Sequence, residues 1–492
     1  MADLIFVLSL LIVFRESREA MLLDDPGVGW HLRNIDAMIA QGGWLTQDPF
    51  TDRRDDRPRR WLTNQWLGEL PLWIGWKWSG LEGLAFFSAL PIALLARWIY
   101  LALISDGLPW GLAAAWTTIA LMGTACSWSA RPNLFTLLFL FLVARLLSRF
   151  HEGKANKSIF LLIPIFLLWS NIHGGFIAGL TTMIIGIGAE LAISIFGNAA
   201  AWSRALHLSF VFVLCILVTL INPYGIELYR WIGLLIGDPF FMKLHQEWLP
   251  PDFSGAGAFR FALIIVAFPA LMAVTARRPH LVELSVAVVW FYLALGGFRY
   301  VALWVVVAIP LLARSSAAIS WVNAWLIRAD VSIQPGRLFH TIRGPVPWLW
   351  SAIVAILFLG FTKLVQGQFS EHNQTMIPSR MLDRFLQRLD TWREVKGRRP
   401  VVFHGYNWGG YVTWHGWPNV LNWIDDRNEV QGRERIKEYF EIIKAAPGWR
   451  EKLSQVDWAC IEPNTALADT LRTDPGWKVT DEDNHAIIFS RR

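Results

Sequence analysis

Charge is scarce in this chain, at 17% of 492 residues, and cysteine is scarcer still, at three. A soluble chain of that length carries more charge, which excludes a cytosolic enzyme and a disordered protein. Cys126, Cys215 and Cys460 are scattered, and they build neither a disulfide framework nor a Cys-rich zinc motif. No strand-like run leads into a GxGxxG or P-loop pattern, so nothing in the chain reads as a nucleotide cradle. Tyrosine is also sparse, at 8 against 29 tryptophans.

What is abundant is apolar surface: 54% of the residues are hydrophobic. Eleven apolar runs stand near 4–23, 82–104, 108–127, 132–149, 158–172, 174–196, 205–221, 258–276, 280–296, 299–313 and 346–366. A span needs about 20 such residues, and the pattern predicts a polytopic α-helical membrane protein. The first run is the least regular, because Arg15, Glu16, Arg18 and Glu19 interrupt it; with no small-residue cleavage site after it, it reads as an uncleaved signal-anchor.

Charge divides the chain at residue 366. Residues 367–492 hold 18 Lys+Arg and 18 Asp+Glu, whereas the first 366 hold 27 and 21, so the whole net charge of +6 belongs to the apolar part. With the N-terminus inside, the cytoplasmic loops carry eleven Lys/Arg, including Arg149, Lys154, Arg277, Arg278, Arg328 and Arg343, and the short outer loops carry four: Arg131, Arg230, Lys243 and Arg299. This is the positive-inside bias of a multi-pass inner-membrane protein with an extracytoplasmic C-terminal domain. It also accounts for the basic balance without nucleic acid. The expected domains are 1–366, a membrane bundle with a first outer loop at 24–81, and 367–492, a small α/β domain. In the latter, a helix over 379–395 and strands at 401–403, 420–424, 458–461 and 486–489 favour a mixed or parallel sheet. Gly409-Gly410 reads as a backbone turn.

The polar clusters set in apolar sequence all fall at outer ends of spans: SARPN at 129–133, SNIHGGF at 170–176, INPYG at 221–225 and GGFRY at 296–300. On the same side the first loop opens with DDPGVGWHLRN at 24–34. Its residues Asp24 and Asp25 precede a Pro/Gly turn, and His31 and Arg33 begin a helix-like stretch ending at Gly42-Gly43. Carboxylates held there suit a general base toward a hydroxyl or a ligand to a divalent cation, and a plain helix cap is the alternative. Farther on, Asp48 is a second acid, and the run DRRDDRPRR at 52–60 reads as a solvated turn. Trp408 and Trp414 are candidates for stacking on a sugar ring.

An N-terminal span, an acid pair directly after it, a long first loop with two amphipathic helices, about ten more spans and a soluble tail resemble the GT-C superfamily of membrane glycosyltransferases, which take sugar from polyprenyl-phosphate carriers. The segments DPGVGWHLRN, QGGWLTQDPF, SARPN, NIHGGF and NPYG, and in the tail YNWGGYVTW and NWIDDRNEV, are similar to bacterial GT-C-like proteins. The resemblance implies an inverting transfer from a polyprenyl-phosphate-linked sugar, in membrane lipid, to an acceptor the sequence does not name. It gives Asp25 the role of base or metal ligand, with Asp24 beside it and Asp48 as a second acid. It also calls for cations at the lipid phosphate, for which Arg131, Arg299 and His173 are the candidates, while His31 and Arg33 support the first loop. Nothing requires a cofactor; the one candidate is a divalent cation, Mg or Mn, on Asp25 and Asp48. Two departures stand out: the tail lacks the WWDYG signature of oligosaccharyltransferases, and Asp-Asp replaces the usual Asp-Glu pair. A non-catalytic envelope-assembly scaffold and a transporter are the other readings.

Overall fold

A computed structural model describes residues 1–17, 22–23, 25–52, 59–153, 157–244, 246–253, 258–275, 277–319, 322, 324, 349–369 and 377–492. Asp24 and residues 53–58 of the charge run lie outside the described residues. The chain is a polytopic α-helical membrane protein with a C-terminal α/β domain.

Helices occur where the apolar runs predict them. They are α1 (Ala2–Ser17), α4 (Leu81–Ser105), α5 (Trp110–Thr124), α6 (Asn133–His151), α7 (Leu162–Ile172), α8 (Phe176–Ile195), α9 (Ala199–Thr219), α12 (Ala258–Val274), α13 (Leu281–Gly296), α14 (Arg299–Ala317) and α15 (Leu349–Leu364). Five of them, α4, α6, α8, α9 and α14, are long and apolar enough to cross a membrane by length and composition. The 25 residues of α4 extend roughly 37 Å at 1.5 Å per residue, more than a hydrocarbon core requires. α4 is also the post on which the bundle is hung. α1, through Phe6, Leu10, Val13 and Phe14, and α15, through Ala355 and Phe358, pack along one side against Ala85, Phe86, Ala89 and Ile92, and the main core of α5, α6, α8, α13 and α14 lies on the other.

The first loop contributes the two helices expected there, α2 (Val28–Gln41), which is amphipathic, and α3 (Trp66–Ser79), which is apolar over most of its surface. Gly42 ends α2 at φ 72°, a left-handed position that glycine adopts without strain. Two shorter helices, α10 (Glu227–Gly237) and α11 (Pro239–Leu244), follow α9 on the same end of the bundle.

The tail is a three-layer sandwich. Its helices are α16 (Ser379–Lys396), α17 (Gly409–Gly416), α18 (Asn428–Ile443), α19 (Trp449–Lys452) and α20 (Ala466–Thr473), and its strands are β1 (Val401–His404), β2 (Leu421–Asn422), β3 (Trp458–Ile461), β4 (Trp477–Glu482) and β5 (Ile487–Arg491). The sheet order is β2-β1-β3-β5-β4, with β2, β1 and β3 parallel and β5 antiparallel to both neighbours. Alternate residues face opposite layers: Val401, Phe403, Ala459 and Ile461 pack against α18, α19 and α20, and Val402 and Cys460 against α16 and α17. Four of the five strands lie at the short apolar runs of the tail. β4 does not: it is an edge strand with only its first residue buried, and its polar WKVTDE sequence shows no core-facing alternation. Nor do Gly409 and Gly410 form a turn; they start α17.

The first loop is mortar between bundle and tail. Thr51 forms a parallel bridge with Asn422, where Asn422 N–H donates to the Phe50 carbonyl (3.0 Å) and Asp52 N–H to that of Asn422 (2.8 Å), so the loop extends the sheet past β2. Its small cores are composite: Trp30, Leu45, Phe50 and Trp61 pack with Trp231 of α10 and Val430 of α18, and Leu32 and Leu72 with Ala130 and with Trp414 of α17.

Candidate functional site

The polar clusters at the ends of the spans meet on the tail side of the bundle. Asn171 donates to the Ile221 carbonyl (3.0 Å) and accepts from Trp66 Nε1 (3.1 Å), and Tyr224 Oη donates to the Leu45 carbonyl (2.9 Å). At Gly68 an added Cβ would lie 2.7 Å from Pro132 Cβ and 2.8 Å from the Ile172 carbonyl, so α3 sits directly on the SARPN and NIHGG turns.

At the centre of this layer Asp25 forms an ion pair with Arg131. Each side chain is held by its own turn. Asp25 Oδ1 also accepts from Gly27 N–H (2.8 Å), which bends the chain into α2, and Ala130 N–H donates to the Leu22 carbonyl (2.7 Å), which fixes the Arg131 turn ahead of α6. A Cβ at Gly27 would fall 2.6 Å from Arg131 Nη2, so a side chain there would displace the guanidinium. The carboxylate thus closes the turn and binds the arginine together, and it does not cap α2, whose N-cap Gly27 has no side-chain cap.

The same Arg131 nitrogen faces a second acid, which comes from the tail. Asp426 Oδ2 lies 3.5 Å away, and Asp426 Oδ1 accepts from Trp30 Nε1 at 3.0 Å. Burial pulls the Arg131 guanidinium down and the carboxylates of Asp25, Asp426 and Glu247 more than offset it, so it stays charged. For Asp426, burial together with the nearby charges of Asp425 and Asp25 outweighs Arg131 and pushes the carboxyl up to about 6. Burial likewise pushes Glu429, in the first turn of α18, up to about 7.

Behind this centre Arg427 pins the tail to the first loop. It is fully buried between the rings of Phe50 (5.0 Å) and Trp61 (4.9 Å) and bonds Asp425 (2.5 Å) and Asp48 (2.9 Å). Gln431 Nε2 donates to Asp425 at 2.9 Å, and Arg59 Nη1 donates to Gln431 Oε1 at 2.7 Å. The structure thus places Asp48 in an ion pair away from Asp25, lowered from the usual carboxylate range because Arg427 and Thr51 outweigh its burial. Arg59, read as part of a solvated turn, is instead tied to the tail. Asp25 and Asp48, the two acids considered for a divalent cation, engage different guanidinium groups and do not form one donor set. Among the described residues no group of three or more His, Cys, Asp or Glu side chains is placed to hold a metal ion.

His31 and Arg33 both serve the first loop. His31 Nδ1 and Glu69 Oε1 share a hydrogen bond of 2.7 Å in the interior, where Asn34 Nδ2 also donates to Glu69 Oε1 (2.8 Å). Burial, and then the charge of Arg131, holds His31 well below its ordinary value, and burial pushes Glu69 up to about 8, so the pair is neutral at pH 7. Arg33 donates to the Trp414 carbonyl (2.6 Å) and pairs with Asp36 (2.7 Å), another tie to the tail. Trp414 and Trp408 are 2% and 3% exposed and belong to the packing of α17 rather than to a sugar platform.

Arg299 and His173 form a neighbouring group. Arg299 pairs with Glu247 (3.2 Å) and lies over the Trp248 ring (4.6 Å). His173 Nδ1 accepts from Gly175 N–H (3.0 Å) and meets Thr136 Oγ1 (2.8 Å). Burial and then the Arg299 charge push His173 down to about 3. It is a neutral imidazole here.

Sequence reasoning missed three residues of this layer: Asp426, Arg427 and Glu69. The signal for the first two was the charge cluster in NWIDDRNEV, directly after an apolar strand. For Glu69 it was a lone acid in the otherwise apolar WLGELPLW.

No family model matches the chain, and no curated protein sequence does either. Solved structures share its fold, ArnT and AglB among them. ArnT from Cupriavidus metallidurans bound to undecaprenyl phosphate aligns over 99% of this chain and 97% of that one, with a TM-score of 0.53 at 14% identity. The apo form of the same protein gives 0.55 at 15% over the same shares. The archaeal oligosaccharyltransferase AglB from Archaeoglobus fulgidus, in complex with an inhibitory peptide and a dolichol-phosphate, gives 0.54 at 12%, over 93% of this chain and 69% of that one. Over 93–99% of its length, tail included, the chain therefore has the fold of these proteins.

Proposed function

We propose that this chain, which has the GT-C fold, is an inverting glycosyltransferase that moves a sugar from a polyprenyl-phosphate carrier to an acceptor hydroxyl on the extracytoplasmic side of the inner membrane. The observation that carries the reading is the first-loop acid Asp25 paired with Arg131 at the end of α6, under a tail that closes over both. That the fold is shared with proteins holding undecaprenyl phosphate and dolichol-phosphate supports a lipid phosphate as the partner. The loop charge bias supports the outward orientation of the tail.

In this reading the acceptor oxygen attacks the anomeric carbon from the side opposite the phosphate. Its proton passes to the Asp25 carboxylate, the carbon–oxygen bond to phosphate breaks, and the electron pair stays on the lipid phosphate. Arg131 stands where that negative charge develops, and a guanidinium fixed in advance stabilises it without reorganising. Arg299 and His173 extend the clamp: Arg299 by its charge, His173 by a hydrogen bond from its Nε2–H, the tautomer that the Gly175 N–H at Nδ1 selects.

Mass spectrometry of lipid copurifying with the purified protein tests the reading. A polyprenyl-phosphate sugar retained by the wild type and lost in Arg131→Gln is the expected result. A protein that carries only bulk phospholipid, in both forms, overturns it.

A further inference from the structure

Two carboxylates face one Arg131 nitrogen, and only one of them belongs to the membrane part. Asp426 reaches the arginine from the tail. Its backing is rigid, because the next residue, Arg427, is locked to Asp425 and Asp48 inside the fold. Asp426 is held on the near side by Trp30 Nε1 and is 11% exposed, so it is neither a surface carboxylate nor a fully committed one. At 3.5 Å from Arg131 Nη2 it makes a longer, weaker contact than the Asp25 pair on the same nitrogen.

We propose that Asp426 is a stand-in for the donor phosphate: in the resting protein its carboxylate completes the charge around Arg131, and it yields that position to the incoming phosphate by taking up a proton from solvent. The inference rests on the reading that Arg131 holds the donor phosphate. A phosphate diester adds a negative charge beside Asp25 and Asp426. Asp25 is needed as a carboxylate for the acceptor proton, so Asp426 is the group that neutralises. The protein's own charges favour this. Asp426 is faced by Arg131 and Asp25 from the bundle side, by Trp30 from α2, and by Asp425, Tyr406 and Glu429 from the tail; burial, Asp425 and Asp25 already raise its carboxyl to about 6. A second anion raises it further. Protonated, Asp426 also becomes a hydrogen-bond donor toward a phosphate oxygen. No bond to carbon changes in this step, and one proton is taken up per donor bound.

The test is equilibrium binding of undecaprenyl methyl phosphate to the full-length protein between pH 5.5 and 8. This diester has no second ionisation and keeps a single charge throughout. Binding that requires protonated Asp426 weakens as the protonated fraction falls, about tenfold per pH unit above pH 6. Asp426→Asn is expected to bind with no such slope and at least about tenfold more tightly than the wild type at pH 8. Glu429→Gln is expected to keep the slope, which separates Asp426 from its titrating neighbour. A flat wild-type affinity overturns the proposal without any variant, and so does an Asp426→Asn protein that keeps the slope. Asp426→Ser gives the same reading should the asparagine variant fold poorly. Arg131→Gln separates this proposal from the one beneath it: if that variant binds the diester as the wild type does, the phosphate clamp itself is wrong, whereas a lost clamp with an unchanged slope in Asp426→Asn sinks only the role of Asp426.

Discussion

Gly29 of the first loop and Gly410 of the tail meet backbone to backbone. A Cβ on Gly29 would stand 2.1 Å from the Gly410 carbonyl, and one on Gly410 would stand 1.6 Å from the Pro26 carbonyl, one residue from Asp25. Two glycines more than 380 positions apart thus set how closely the tail can approach the turn that carries the proposed base. Gly410→Ala is expected to push the tail off that turn, at a cost at or above the roughly 1–3 kcal/mol of an overpacked core site. Sugar transfer should fall at least tenfold while the bundle stays folded. Limited proteolysis reads the separation directly, as faster cleavage between bundle and tail.

Arg427 predicts a different kind of loss. Removing it leaves Asp48 and Asp425 buried without their counter-charge, and breaking a buried pair from one side costs on the order of 3–5 kcal/mol. Arg427→Ala should therefore lower the unfolding midpoint of the tail and first loop together in detergent. Asp48→Asn, which keeps a hydrogen-bonding side chain, should lower it less. Equal melting of Arg427→Ala and wild type would remove the proposed pin.

Glu69 gives the protein a pH dependence whose sign follows from its burial. Its carboxyl is raised in the folded state from 4.5 to about 8, so between those values the native protein holds a proton that the unfolded chain has released. Stability then falls as pH rises, by up to about 1.4 kcal/mol per pH unit, and levels off above pH 8. Asp426 and Glu429 act in the same direction, up to about 6 and 7, and His31 acts oppositely only below its ordinary value. The window from pH 7 to 8 therefore reports Glu69. Unfolding midpoints should decline across it in the wild type and stay level in Glu69→Gln.

Much of this fold was legible in the sequence because lipid allows so few choices. Each apolar run became a helix, and the Pro/Gly turn after the first run holds Asp25 beside an α2 that ends at Gly42, as its sequence indicated. The polar exceptions to the apolar pattern converge on one end of the bundle. Long-range geometry was not legible. Asp48 looked like a second site acid because proximity in sequence to Asp25 was the only guide, yet its partner Arg427 lies 379 positions away. Asp426 lies in the NWIDDRNEV segment, where no local pattern points to the bundle, and only tail docking brings it to Arg131. β4 escaped because an edge strand with solvent on most of its residues has no period-two apolar signal to read.

Turnover by Asp25→Asn shows whether Asp25 is the base. Purified wild type and variant would be reconstituted with the polyprenyl-phosphate sugars of the source membrane, and release of free polyprenyl phosphate followed by mass spectrometry. A positioned base contributes about 10²–10⁴-fold, so Asp25→Asn is expected to lose at least two orders of magnitude in rate while still folding and still retaining the donor lipid. Release at the wild-type rate from a folded, donor-loaded Asp25→Asn protein would contradict it.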